Sequence, residues 1–270
     1  MLLHTILLYS ICVRYSLKEI FSLLDTDNDT LPGMLANNIN CGDLFGVFEP
    51  SKPETRFYNI TETYTISGLY SPSTIDLSGL CPAACRLFEL SIDAFYAIVE
   101  AWMSEFPIET KIISFGRKVF AAAGRDMADI AATDRGDADT RAVLSAAYKV
   151  AREIHRLHGF LRFSPDNNGV YTAFCEPDHF VLPAFAGHFK QRFGPTPWAI
   201  IDEKRNLRLD CLNGQMAAFS KTCGKPRGRG EEWEELWGHY HKTINNESRK
   251  NPKLQQKLIP ARYRKNMPEL

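Results

Sequence analysis

Apolar and polar positions follow a readable period over only part of this chain. Residues 17–24 set Leu17, Ile20, Phe21 and Leu24 on one face, the spacing of a short amphipathic helix. The 13 or so residues before it are apolar almost throughout. That run is too short to span a bilayer and has no basic leader, so it reads as a buried first strand. From residue 25 to about 79 the pattern dissolves into Asn, Thr, Ser and Pro. One β-prone piece, Phe57 to Ile66, predicts a hairpin in a loop-rich lobe. Helical spacing returns from Cys85, over residues 91–105 and again over 108–123. A polar break with Asp134, Gly136, Asp137 and Asp139 then supplies N-cap chemistry for a long helix over 140–158. Its stripe is Val143, Leu144, Ala147, Val150, Ala151, Ile154 and Leu157, and Gly159 stops it.

Past Gly159 the period switches. Residues 160–163 and 170–175 read as strands around an S-P-D-N-N-G turn, 182–193 as a helix with Pro183 in its first turn, and 198–202 and 207–212 as strands around K-R-N. Residues 224–230, G-K-P-R-G-R-G, read as a flexible linker and 231–245 as a further helix. The order is helix, two strands, helix, two strands, helix. It predicts a helix-rich α+β fold with a small antiparallel sheet in the C-terminal two thirds. Three regions follow: 1–85, a strand–helix start and loop-rich lobe; 86–223, the helical and α+β core; and 224–270, a basic helical segment.

Charge changes this picture at one place. The chain balances 32 Lys and Arg against 32 Asp and Glu, yet residues 236–265 hold eight basic residues and one acid, Glu247. Trp237, Tyr240 and Tyr263 are interleaved with Arg249, Lys250, Lys253, Arg262, Arg264 and Lys265. Cations with rings among them suit a polyanion that also has faces to stack on, which points to nucleic acid. The bland reading is a solvated helical tail. Seven cysteines without framework spacing read as reduced thiols and a cytoplasmic protein with no membrane association.

Other motifs exclude more than they suggest. D-T-D-N-D-T at 25–30 opens like an EF-hand, but Thr30 and Ala36 stand where the loop needs Gly and a bidentate acid. Cys81 and Cys85 are two thiols without the partners of a metal site. There is no phosphate-binding Gly-rich loop, nucleophile elbow, deaminase or kinase signature. One cluster does carry chemistry. His155 and His158 share a helix face, E-P-D-H (176–179) ends a strand, and His188 follows. His155, Glu176, Asp178 and His179 could converge for general acid–base work or hold a metal. Equally, they could cap helix ends and satisfy one another.

The segments E-I-H-R-L-H-G-F-L-R-F (153–163), E-P-D-H-F-V-L-P-A-F-A-G-H-F (176–189), W-x3-W-x2-Y (233–240) and R-K-N-P-K-L-Q-x4-I-P-A-R-Y (249–263) occur together and in order. In this the chain resembles an uncharacterised bacterial family of DNA metabolism proteins, from about Ala94 to the C-terminus. The C-terminal domain of that family, of unknown function, is also found joined to uracil-DNA glycosylase-like domains. The chain departs from the family at Arg264, where a cation replaces the usual ring, and at His158. The resemblance implies work alongside DNA repair or modification, with a radical-SAM protein as partner and DNA as ligand. It implies no cofactor, no metal and no reaction, since the glycosylase motifs are missing from this sequence. The expected function is therefore an accessory protein of DNA metabolism that binds nucleic acid through its basic C-terminal surface. The alternatives are an enzyme on DNA or nucleotides using His155, Glu176, Asp178 and His179, and a subunit that docks through the apolar helices of residues 90–123.

Overall fold

The computed structural model describes residues 15–24, 60–70, 75–77, 79–122, 124–221, 230–264 and 266–267, and side chains at all of these except 60–62, 215–221, 230–234 and 247. The expected first strand and the 224–229 part of the linker lie outside the described residues. The chain divides into two compact units, Met1–Glu62 with Leu77–Val150, and Thr63–Asp76 with Ala151–Leu270.

The first unit is helical. Helix α1 (Leu17–Leu24) begins with a capping box: the Ser16 N–H donates to Glu19 Oε2 at 2.7 Å, and the Glu19 N–H to Ser16 Oγ at 3.1 Å. Its C-terminal carbonyl at Leu23 accepts from the Arg117 guanidinium at 2.9 and 3.1 Å. Helix α2 (Ile60–Leu69) occupies the segment from which a hairpin was expected. Thr63, Ile66, Ser67 and Leu69 are buried at helical spacing. That burial outweighs β-propensity, a preference spanning only about 1 kcal/mol. From Thr63 onward α2 belongs to the second unit, where the Ser67 hydroxyl donates to Pro183 O at 3.2 Å.

Helix α3 (Pro82–Leu90) starts on its own proline, three residues before the helical spacing read from Cys85, and α4 (Ile92–Met103) and α5 (Glu109–Phe120) follow as read. Ser91 closes α3 with its N–H on Leu87 O, and its hydroxyl caps α4 by accepting from the Ala94 N–H. Phe21 and Phe95 stack at 5.4 Å, and the Trp102 indole donates to Tyr15 O at 2.9 Å. Close packing of α1 on α5 requires Gly116, where a Cβ would stand 2.6 Å from Leu24 Cδ2. Helix α6 (Arg125–Thr133) has no counterpart in the sequence reading. Its inward face is only Ala128 and Ala132, too faint a stripe to register. Helix α7 (Ala138–Phe160) starts where Asp137 Oδ1 accepts from the Thr140 N–H at 2.7 Å, and the chain passes into the second unit within it.

The second unit is built on five strands in sequential order: β1 (Ser164–Pro165), β2 (Tyr171–Cys175), β3 (Trp198–Asp202), β4 (Leu207–Leu212) and β5 (Gln215–Lys221). The α+β class holds, but the sheet is mixed, not antiparallel. β2 and β3 run parallel, with Tyr171 opposite Trp198 and Cys175 opposite Asp202. The reason is the crossover between them, a 3₁₀ turn (Leu182–Ala184) and helix α8 (Phe185–Phe193), which returns the chain to the same end of the sheet. The other pairs are antiparallel. The strand expected over 160–163 is displaced, because α7 continues through Phe160 and the pairing starts at Ser164. β5 was not anticipated, although Asn213 and Gly214, both at positive φ, form the Asn-Gly turn that marks a hairpin. Trp198, Phe180, Phe185 and Phe189 are fully buried, and Phe189 of α8 packs on Trp198 of β3 with ring centroids 6.0 Å apart.

Beyond the sheet come α9 (Gly230–Ile244), a 3₁₀ turn (Glu247–Arg249), α10 (Pro252–Leu258) and α11 (Ala261–Arg264). Among the described residues no helix is long and apolar enough to cross a membrane.

Candidate functional site

The C-terminal charge run divides into an inner part and an outer part, and one acid on α7 causes the division. Glu153 lies between Val150 and Leu157 on the apolar face of α7 and is 4% exposed. A buried carboxylate must be matched by donors. Its Oε1 accepts from the Asp178 N–H at 2.9 Å, the Tyr263 hydroxyl at 2.7 Å and Arg262 Nη2 at 3.2 Å, and its Oε2 from the His179 N–H at 2.9 Å. Arg262 also donates to the Tyr263 oxygen at 2.9 Å and pairs through Nη1 with Asp178 Oδ2 at 2.7 Å. Burial, then the Glu153 charge, push the Tyr263 phenol well above its ordinary range, so it serves as a fixed donor.

The E-P-D-H loop is held from its other side as well. Arg205 donates to Pro177 O at 3.2 Å and Asp178 O at 2.9 Å, and Lys204 to Asp178 O at 2.9 Å. Arg205 is itself buried against Asp202, Nη1 to Oδ2 at 2.9 Å. Burial pushes the Asp202 carboxyl up, against the pull of Arg205. Together α7, the β2 exit, the β3–β4 turn and α11 meet at one strand exit.

This arrangement relocates the expected acid–base cluster. Asp178 and His179 come to Glu153 through their backbone N–H groups, and the Asp178 side chain turns to Arg262. Glu176 is half-buried, and His155 is exposed on α7. Among the described residues no three His, Cys, Asp or Glu side chains are placed to hold a metal ion. His158, by contrast, stacks on His188 with ring centroids 4.0 Å apart. Burial, with His188 and His155 nearby, lowers the His158 imidazole to about 4, and its Nε2 is buried with no hydrogen-bond partner among the described residues. Burial also lowers His188, with help from Arg192.

The outer part is α9 and α10. Trp237 and Tyr240 are 39% and 51% exposed, with ring centroids 5.6 Å apart. Arg249, Lys250 and Lys253 are exposed, as are Lys242 and Lys257. Among the described residues, the side chains of Lys242, Arg249, Lys253 and Lys257 enter no ion pair or hydrogen bond. Three residues expected beside them lie elsewhere. Tyr263 is 4% exposed and bound to Glu153, so its ring is not open to a base. Arg262 is held by Glu153 and Asp178. Arg264 donates to Gln256 O and Ile259 O, closing the C-terminus of α10. Lys265 lies outside the described residues. The apolar helices of residues 90–123 bury Phe95, Ile98, Trp102, Ile112, Phe115 and Val119 in the core of their own unit.

Glu153, Asp202 and Arg205 are the interacting residues that sequence reasoning missed. Glu153 did leave a trace, an acid three residues after Val150 and four before Leu157 on an otherwise apolar face. Asp202 was visible only as the end of a strand, and Arg205 only as a residue of the K-R-N turn.

These features define an α+β protein whose C-terminal unit joins a matched inner charge cluster to an outer face of exposed cations and rings. Residues 111–269, more than half of the chain, match the model of a domain of unknown function, DUF4130, and the chain belongs to that family. No curated protein and no solved structure matches it.

Proposed function

We propose that this protein is a cytoplasmic accessory module of DNA metabolism that binds nucleic acid through α9 and α10. The observation that carries the reading is the set of exposed cations that have no partner among the described residues, Lys242, Arg249, Lys253 and Lys257, on the same segment as the exposed rings of Trp237 and Tyr240. Phosphates supply the missing counter-charges, and the rings supply faces for bases. The resemblance to DNA metabolism proteins supports DNA as the ligand and a radical-SAM protein of DNA repair or modification as the partner.

Fluorescence-anisotropy titrations with labelled DNA at 50 and 200 mM salt test the reading. With about four phosphate contacts, log K falls with log salt at a slope of roughly −3 to −4. Lys253→Ala with Lys257→Ala should weaken binding and flatten that slope by about 1.5 to 2. Binding that ignores salt, or survives the double substitution, refutes it.

A further inference from the structure

The same face indicates which form of nucleic acid it takes, an inference that rests on the function proposed above. On α9, Leu236, Trp237, Tyr240 and Ile244 recur at three- and four-residue spacing and are 58%, 39%, 51% and 58% exposed. On α10, Leu254 and Leu258 are 50% and 57% exposed, and no described residue of that helix is buried. Six large apolar side chains thus face solvent within residues 236–258, alongside five cations and a single acid, Glu247.

Duplex DNA offers such a face little. Its bases are stacked on one another, and a helix entering the major groove reads hydrogen-bonding base edges with polar or cationic side chains. The α9 stripe is aromatic and aliphatic. Lys242, the cation of that helix, lies about 200° around the helix from Tyr240, off the stripe. A single strand presents a different chemistry, flat apolar base faces joined by regularly spaced phosphates. Trp237 and Tyr240 lie one turn apart with ring centroids at 5.6 Å. That separation is too short for a base to enter between them, since stacked bases need about 7 Å, so bases would lie on the outer faces of the rings. Within residues 236–258 five cations against Glu247 set the sign of the partner, whereas the four glutamates of α9, Glu231, Glu232, Glu234 and Glu235, all precede the stripe in the first turns of the helix. We infer that α9 and α10 form a platform for single-stranded nucleic acid, with unpaired bases on the Trp237–Tyr240 stripe and phosphates on Arg249, Lys253 and Lys257.

The test uses the full chain and three probes: a fluorescein-labelled 20-nucleotide mixed-sequence single strand, the same strand annealed to its complement, and a labelled acidic amphipathic peptide. The single strand should bind at least about tenfold tighter than the duplex. Trp237→Ala with Tyr240→Ala should weaken single-strand binding by about ten- to a hundredfold and change duplex binding less than threefold. A circular-dichroism melt confirms that the double variant is folded; if it is not, Tyr240→Ala alone is used, with about tenfold expected. Equal or tighter duplex binding, or single-strand binding indifferent to the rings, overturns this inference and leaves nucleic-acid binding standing. Failure of both nucleic acids overturns both readings, and tight peptide binding in that case makes the face a protein-docking surface.

Discussion

Arg262 and Tyr263 lie within ten residues of Lys253 and share its sequence character, yet the two places do opposite things with charge. At the inner cluster the buried charges are paired: Glu153 accepts from two backbone N–H groups, a phenol and a guanidinium, and Arg262 bridges onward to Asp178, although its Nε is buried without a hydrogen-bond partner among the described residues. On α9 and α10 the cations face water beside exposed rings. Burial makes the difference. A carboxylate on the apolar face of α7 is costly unless matched, so it recruits whichever cation and hydroxyl the chain brings within reach, and these no longer meet a ligand. The cations that remain outside have no such demand on them.

The contrast is broken most severely at Glu153. Glu153→Ala should lower stability by about 3–5 kcal/mol, because it strands two loop N–H groups, the Tyr263 hydroxyl and Arg262 at once; a urea denaturation midpoint reads this directly. A loss under 1 kcal/mol would mean the cluster does not fasten α11. Tyr263→Phe removes one donor and leaves the others, so it should cost about 1–3 kcal/mol by the same measurement. It should leave the affinity for DNA unchanged, which separates the inner tyrosine from Trp237 and Tyr240, whose loss weakens binding.

Acid should sharpen the picture around His158. Its imidazole is lowered from 6.5 to about 4 in the fold, so the unfolded chain takes up the proton first. Stability is therefore complete above about pH 6.5 and is lost as pH falls toward 4. The groups packed against it are His188, His155, Phe185 and Phe189. Solvent reaches this half-buried ring, which leaves an effect of about 1 kcal/mol. Unfolding midpoints at pH 7 and pH 5 should differ accordingly, and His158→Phe should remove most of the difference. The smallest effect belongs to the outer face: Lys253→Ala and Lys257→Ala should each change stability by less than about 0.5 kcal/mol while weakening DNA binding. A large stability loss there would mean these cations support the fold.

Much of the fold was legible because periodicity and capping are local. The stripe of α1, the acidic cap before α7 and the long stripe of α7 all follow from near neighbours in sequence. α2 was misread because Ile, Thr and Tyr, all β-prone, make up six of its ten residues, and only tertiary burial makes it a helix. α6 escaped because two alanines make a weak stripe. The candidate site was legible by residue type but not by role. Glu176, Asp178 and His179 follow the end of β2, while His155 is exposed on α7, and the group that organises the strand exit is Glu153.

By itself the sequence determined the α+β class, helices α1, α4, α5, α7, α8 and α9, the acidic cap of α7, and a surplus of cations near the C-terminus, since each depends on spacing or composition within a few residues. The tertiary structure alone decided that β2 and β3 run parallel, that the E-P-D-H loop hangs on Glu153 and Arg205, and which cations of one run are matched inside. Those outcomes depend on residues about 25 to 110 positions apart, whose meeting no local period encodes.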